Sequence, residues 1–125
     1  NMIQLRTMLQ VADNTGAKLV QMIGMPQKGN LLIAGIGDVI VVVIKSAIPY
    51  AQVKKGEVVP AVIVRTRKEK RRSDGSYIRF DENACVILVA KETPDPRGTR
   101  IFGPIAKEIK DRGFNKIASL AEEIY

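Results

Sequence analysis

The chain has 125 residues, 46% of them hydrophobic and 26% charged, and carries 20 Lys and Arg against 13 Asp and Glu, a net charge of +7. With no histidine and one cysteine, Cys85, it has no Ser-His-Asp or Cys-His catalytic set, no imidazole base, no His-ligated metal, no internal disulfide and no thiolate cluster. No apolar run approaches the ~20 residues of a membrane-spanning helix, and the start lacks a signal peptide's charged and apolar segments. The length suits one domain over residues 1–125, the lone cysteine fits a reducing compartment, and Asn1 before Met2 hints at a trimmed precursor.

The first two thirds read as β structure. A strand over residues 8–12 ends in the turn cluster Asp13-Asn14-Thr15-Gly16, and a second over 18–25 runs to Pro26 and a glycine-containing loop. Residues 38–47 contain Val39-Ile40-Val41-Val42-Val43-Ile44, a β-branched run apolar on both faces, which predicts a strand buried on two sides as in a small barrel. Lys54-Lys55-Gly56-Glu57 is a turn, followed by a strand over 58–64 in which Pro60 implies an edge or a bulge. A last strand covers 84–90. Gly103-Pro104 then opens a helical tail, with Pro104 in the first turn, Ile105 and Ile109 on one face and Gly113 at the C-terminal cap. A second helix over 115–122 groups Ile117, Leu120 and Ala121. The expectation is a mainly β fold, a small barrel over 1–102 with a helical region over 103–125.

The charge is unevenly placed. Residues 1–44 carry three bases and two acids, residues 45–80 ten bases and three acids, and residues 81–125 seven bases and eight acids. The net +7 therefore belongs to the middle third, which points to a polyanion gripped by one region. Its densest part is Arg65-Thr66-Arg67-Lys68-Glu69-Lys70-Arg71-Arg72, followed by Asp74-Gly75 and Tyr77-Ile78-Arg79-Phe80. Asp-Gly between extended segments signals a two-residue hairpin, with Arg72 opposite Tyr77 and Lys70 opposite Arg79. That like-charge pair is best tolerated where a polyanion neutralises both. Aromatic residues are only 5% and tryptophan is absent, which argues against a base-stacking platform and for phosphate and shape recognition of folded RNA. Charge alone leaves DNA open.

Two further segments are candidate contacts: the stiff loop Thr93-Pro94-Asp95-Pro96-Arg97-Gly98-Thr99-Arg100, and Lys45 with Ala47-Ile48-Pro49-Tyr50. Enzymatic readings fail. Gly35-Ile36-Gly37 lacks a phosphate-loop continuation, Asp81 and Glu82 point to opposite faces of a strand, and Cys85 sits in an apolar strand. No cofactor or metal is expected.

One spaced pattern runs Ala61-Val62-Ile63-Val64, nine residues, then Asp74-Gly75, Phe80, Asn83 and Val86-Ile87. Around it stand Val11-Ala12-Asp13-Asn14-Thr15-Gly16-Ala17, Gly37-Asp38-Val39-Ile40, Val53-Lys54-Lys55-Gly56 and Arg97-Gly98-Thr99-Arg100-Ile101-Phe102-Gly103-Pro104, in order along the chain. In these motifs the chain resembles a known family, the universal large-subunit ribosomal protein fourteen in its bacterial and organellar form, whose signature is the first pattern.

The resemblance implies a five-stranded barrel related to the oligonucleotide-binding barrel, with a projecting ribbon and short C-terminal helices. It implies binding to large-subunit rRNA, bridges to small-subunit rRNA, contacts with large-subunit proteins three and nineteen, and docking of a ribosome-silencing factor. Carried over, rRNA binding falls to Lys54, Lys55, Arg65, Arg67, Lys68, Lys70, Arg71, Arg72 and Arg79. Intersubunit or partner contact falls to Lys45, Ser46, Ala47, Ile48, Pro49, Arg97, Gly98, Thr99, Arg100 and Gly103, with Thr99 and Arg100 matching the silencing-factor contact. The segment 27–33 is less basic than in common members and is assigned no rRNA contact. Ile48-Pro49-Tyr50-Ala51 replaces a loop that more often bears glycine or asparagine. The expected location is the large subunit in a bacterial cytoplasm or an organelle, with a lean to the mitochondrion.

Overall fold

The computed structural model describes residues 3–25 and 33–125. Residues 1, 2 and 26–32 lie outside the described residues, and with them the expectations about Asn1 and about most of the 27–33 loop. In chain order the elements are β1 (Ile3–Gln4), β2 (Met8–Val11), β3 (Ala17–Gly24), β4 (Ile33–Ala34), β5 (Val39–Ala47), β6 (Val58–Arg65), β7 (Lys70–Arg71), β8 (Tyr77–Ile78), β9 (Ala84–Ile87), β10 (Pro104–Ile105), α1 (Glu108–Asp111), α2 (Asn115–Leu120) and β11 (Glu123–Ile124).

Five strands close a barrel in the order β2-β3-β5-β6-β9. All neighbours are antiparallel except the closing pair, in which Gln10 and Val11 lie parallel to Ala84 and Cys85. Alternate side chains fill the interior: Leu9 from β2, Val20 and Met22 from β3, and Ile40, Val42 and Ile44 from β5 are all essentially inaccessible. This is the period-two geometry of a strand with one face to a core. It corrects the expectation for β5, whose Val39, Val41 and Val43 are only half-buried. The strands buried on both faces are β6 and β9. The chain after Phe102 crosses β6, where the Ala106 N–H donates to the Val64 carbonyl, and brings Ile105, Ile109 and Ile117 into the core. Cys85 lies inside it; burial, then the Asp13 charge, push its thiol far above its ordinary value, as suits an inert core residue.

Pro60 is neither at a sheet edge nor at a bulge. On the β5 side the ladder bonds fall at Glu57 and Ile63, two-residue steps that skip Pro60, which pairs with Val41 without needing a donor. On the β9 side Pro60 lies at the end of the ladder, accepting from Leu88 N–H. The bulge of β6 is four residues on, where Ile63 and Arg65 face the adjacent Cys85 and Ala84.

The tail also differs from expectation. Pro104 begins not a helix but β10, paired in parallel with β11. The first helix is a single turn starting at Glu108. It closes as foreseen at Gly113 (φ +93°), with Gly113 N–H on the Lys110 carbonyl and Phe114 N–H on that of Ile109, the Schellman pattern. The second helix stops at Leu120 because Ala121 turns extended.

Candidate nucleic-acid interface

The basic segment leaves the barrel at Thr66 as a ribbon, β7 and β8. Its register is one residue away from the expected one: Lys70 faces Ile78 and Arg71 faces Tyr77. Arg72 N–H donates to the Ser76 carbonyl and Gly75 N–H to that of Arg72, so the loop holds three residues, Ser73, Asp74 and Gly75, with Gly75 at φ +91°. A type I turn followed by a left-handed glycine is the next commonest hairpin closure after the two-residue turns. The Asp74 carboxylate accepts from the Ser76 hydroxyl and N–H, which hold it below its ordinary value.

That one-residue slip exchanges the faces of the strand. Ile78 and Phe80 point inward and are buried, while Tyr77 and Arg79 point outward. Arg71, opposite Tyr77, joins them, and Arg67 and Lys68 are exposed at the base. The Lys70–Arg79 confrontation inferred from the two-residue turn is absent. Among the described residues Arg67, Arg71 and Arg79 make no ion pair, which leaves three full cationic charges on one side of the ribbon. Lys54 and Lys55 are exposed on a turn closed by Glu57 N–H on the Lys54 carbonyl.

Arg65 and Arg72 are not part of that face. Arg65 is 7% exposed; its Nη1 donates to the carbonyls of Phe102 and Pro104 at 2.9 Å each and its Nη2 to Glu82 at 3.0 Å. Arg72 forms a two-pronged pair with Glu108, both bonds 3.0 Å, binding the ribbon to α1. Burial opposes ionisation of Glu108, but the Arg72 hydrogen bonds and the charges of Arg72 and Lys70 outweigh it and hold the carboxyl below its ordinary value. A run of bases does not reveal which of its members find internal carboxylates.

The two other predicted segments meet at one place, the Asp13–Gly16 turn. Ile48 N–H donates to the Gly16 carbonyl and Gln52 N–H to that of Thr15. Asn14 Oδ1 accepts from Thr99 and Arg100 N–H, and Asn14 Nδ2 donates to the Thr99 hydroxyl. Asp13 is buried and accepts from Thr15 and from Ile87 N–H; burial, the largest influence, raises its carboxyl above the ordinary value despite those bonds. Lys45, Ile48, Pro49, Thr99 and Arg100 are exposed around this hub, with Ser46 and Ala47 half-buried beside them.

Three residues of the predicted contact set also have a part in the scaffold. Gly98 is buried, and a Cβ there would lie 2.6 Å from Asn14 Oδ1. Gly103 (φ +77°) leaves room for Arg65, whose Nη1 would be 2.6 Å from an added Cβ. Arg97 is half-buried and pairs with Glu57 at 3.4 Å. Further residues complete the surface. Phe102, 47% exposed, lines a cleft of about 390 Å³ with Thr99, Arg100, Leu120 and Glu122. Asn14 stands in the sequence as a turn residue and as part of the Val11–Ala17 motif, and nothing local marks its reach across 85 positions.

Among the described residues no cluster of acidic side chains or Cys85 is arranged to hold a metal ion. What the geometry offers is a rigid barrel, an outward cationic ribbon and a separate exposed loop surface. The family model described as ribosomal protein L14p/L23e matches residues 2–125, essentially the whole chain.

Proposed function

The chain belongs to the ribosomal protein L14p/L23e family, structural components of the large ribosomal subunit, and from that premise we propose that it binds large-subunit rRNA through the outer face of its ribbon. The observation that carries this reading is the cluster of Arg67, Arg71 and Arg79 on one side, without internal ion pairs among the described residues. Phosphates neutralised there release counterions, and a ribbon pinned by Arg72 to α1 presents them in fixed geometry. The chain performs no catalysis; it positions RNA. In a bacterial or organellar extract it should sediment with the large subunit on a sucrose gradient. The Arg67→Ala, Arg71→Ala, Arg79→Ala variant should shift towards the top, and unaltered sedimentation would move the RNA site elsewhere.

The loop surface supports a second role of the same protein. Lys45, Ile48 and Pro49, with Thr99 and Arg100, form the side we assign to small-subunit rRNA across the interface. The cleft lined by Arg100, Phe102 and Leu120 suits a silencing factor that blocks subunit joining, and the acid-balanced C-terminal region suits neighbouring large-subunit proteins three and nineteen. Because the Thr99 hydroxyl is engaged by Asn14, Arg100→Ala is the clean test. It should weaken factor docking about tenfold or more while leaving incorporation into the large subunit intact. Loss of both together would make this loop an assembly element.

A further inference from the structure

The ribbon's outer face is not a bare row of charges. Arg67, Lys68, Glu69, Arg71, Tyr77 and Arg79 line a cleft of about 410 Å³, at the small end of ligand-sized clefts. Four cations against one carboxylate leave it net positive. Tyr77 stands opposite Arg71 and two residues from Arg79, on the same strand face, and is 59% exposed. Its neighbours Ile78 and Phe80 supply the packing that holds the strand down, so the tyrosine ring is not required by the core.

We propose that this cleft seats a single unstacked nucleotide of RNA, its base against the Tyr77 ring and its phosphates on Arg67, Arg71 and Arg79. The inference rests on the RNA-binding reading above and adds the kind of RNA element recognised. A duplex would use the cations and leave the ring idle, and an acidic peptide likewise needs no aromatic face. A bulged or splayed nucleotide uses both, because every base has a π-face and guanidinium groups extend the stacking surface. One aromatic in a basic cleft reads one base, which agrees with a chain that has three tyrosines, three phenylalanines and no tryptophan.

The absence of tryptophan makes the test direct. In this chain, Tyr77→Trp supplies a unique tryptophan, excited selectively over the remaining tyrosines, at an exposed position. Its emission should be quenched by an RNA hairpin carrying one bulged uridine, and not by the same hairpin fully paired or with an abasic bulge. Tyr77→Ala should weaken binding of the bulged hairpin about tenfold and leave the paired hairpin unaffected, with Tyr77→Phe restoring affinity. Equal affinities of the alanine variant and wild type for the bulged hairpin, or an unquenched tryptophan at saturation, would overturn the nucleotide seat while leaving RNA binding in place. Quenching by a polyglutamate peptide as strong as that by the bulged RNA would also overturn it, in favour of an acidic protein. Failure of the wild-type protein to bind either hairpin at low salt would overturn the RNA-binding reading itself.

Discussion

Arg65 carries its charge into the molecule rather than towards a polyanion. The bulge after Ile63 inserts an extra residue in β6, so the strand's alternation breaks just before the basic run and the Arg65 side chain turns inward. There it satisfies two carbonyls of the segment entering β10 and pairs with Glu82. Removing the guanidinium leaves the Phe102 and Pro104 carbonyls without their donor, whereas the partly exposed Glu82 carboxylate is returned to water. Arg65→Leu is therefore expected to lower unfolding free energy by about 2 kcal/mol in urea titration. Unchanged stability with weakened RNA affinity would restore it to the binding face. The sequence could not disclose this, since a bulge is set by the partner strand and leaves no mark in local spacing.

At the scale of elements, the turn chemistry foretold a hairpin but not its register. Asp74-Gly75 suits either a two-residue loop or the second half of a three-residue one, and the Ser76 bonds to Asp74 accompany the longer form. The buried Ile78 and Phe80 settle the matter physically, because the slipped register keeps them inward and puts Arg71, not Arg72, beside Tyr77. Arg72 is then free to reach Glu108. With its carboxyl held below the ordinary 4.5 in the folded state, Glu108 contributes stability that is complete above that ordinary value and is lost as pH falls through the lower folded one. Asp13, raised by burial, acts in the opposite sense: its contribution is present at low pH and lost as pH rises through its folded value. Backbone NMR of Tyr77 and Arg79 should show the ribbon loosening below about pH 4.5 in the wild type. In Glu108→Gln it should be loose already at pH 7, without that acid transition; an identical transition in both would place the tie elsewhere.

Over the whole molecule, the barrel and the division of charge were legible from the β-branched runs, the glycine turns and the excess of bases in residues 45–80. The joining of the two loop surfaces at the Asp13–Gly16 turn was not, because it depends on hydrogen bonds between segments about 85 positions apart. Nor was the strand character of Pro104, which follows from its parallel pairing with the C-terminal residues of β11, nineteen positions on. Of the nine bases carried over to RNA binding, two are committed to internal carboxylates. On the proposed reading, phosphate neutralisation by the outward face supplies the affinity. The most direct test is the salt dependence of binding to large-subunit rRNA. For about six phosphates engaged, log K against log salt should fall with a slope of about −4 to −5. The Arg67→Ala, Arg71→Ala, Arg79→Ala variant, its barrel intact by circular dichroism, should be shallower by about 2 to 3. A slope identical to the wild type would show that these three arginines do not engage phosphate.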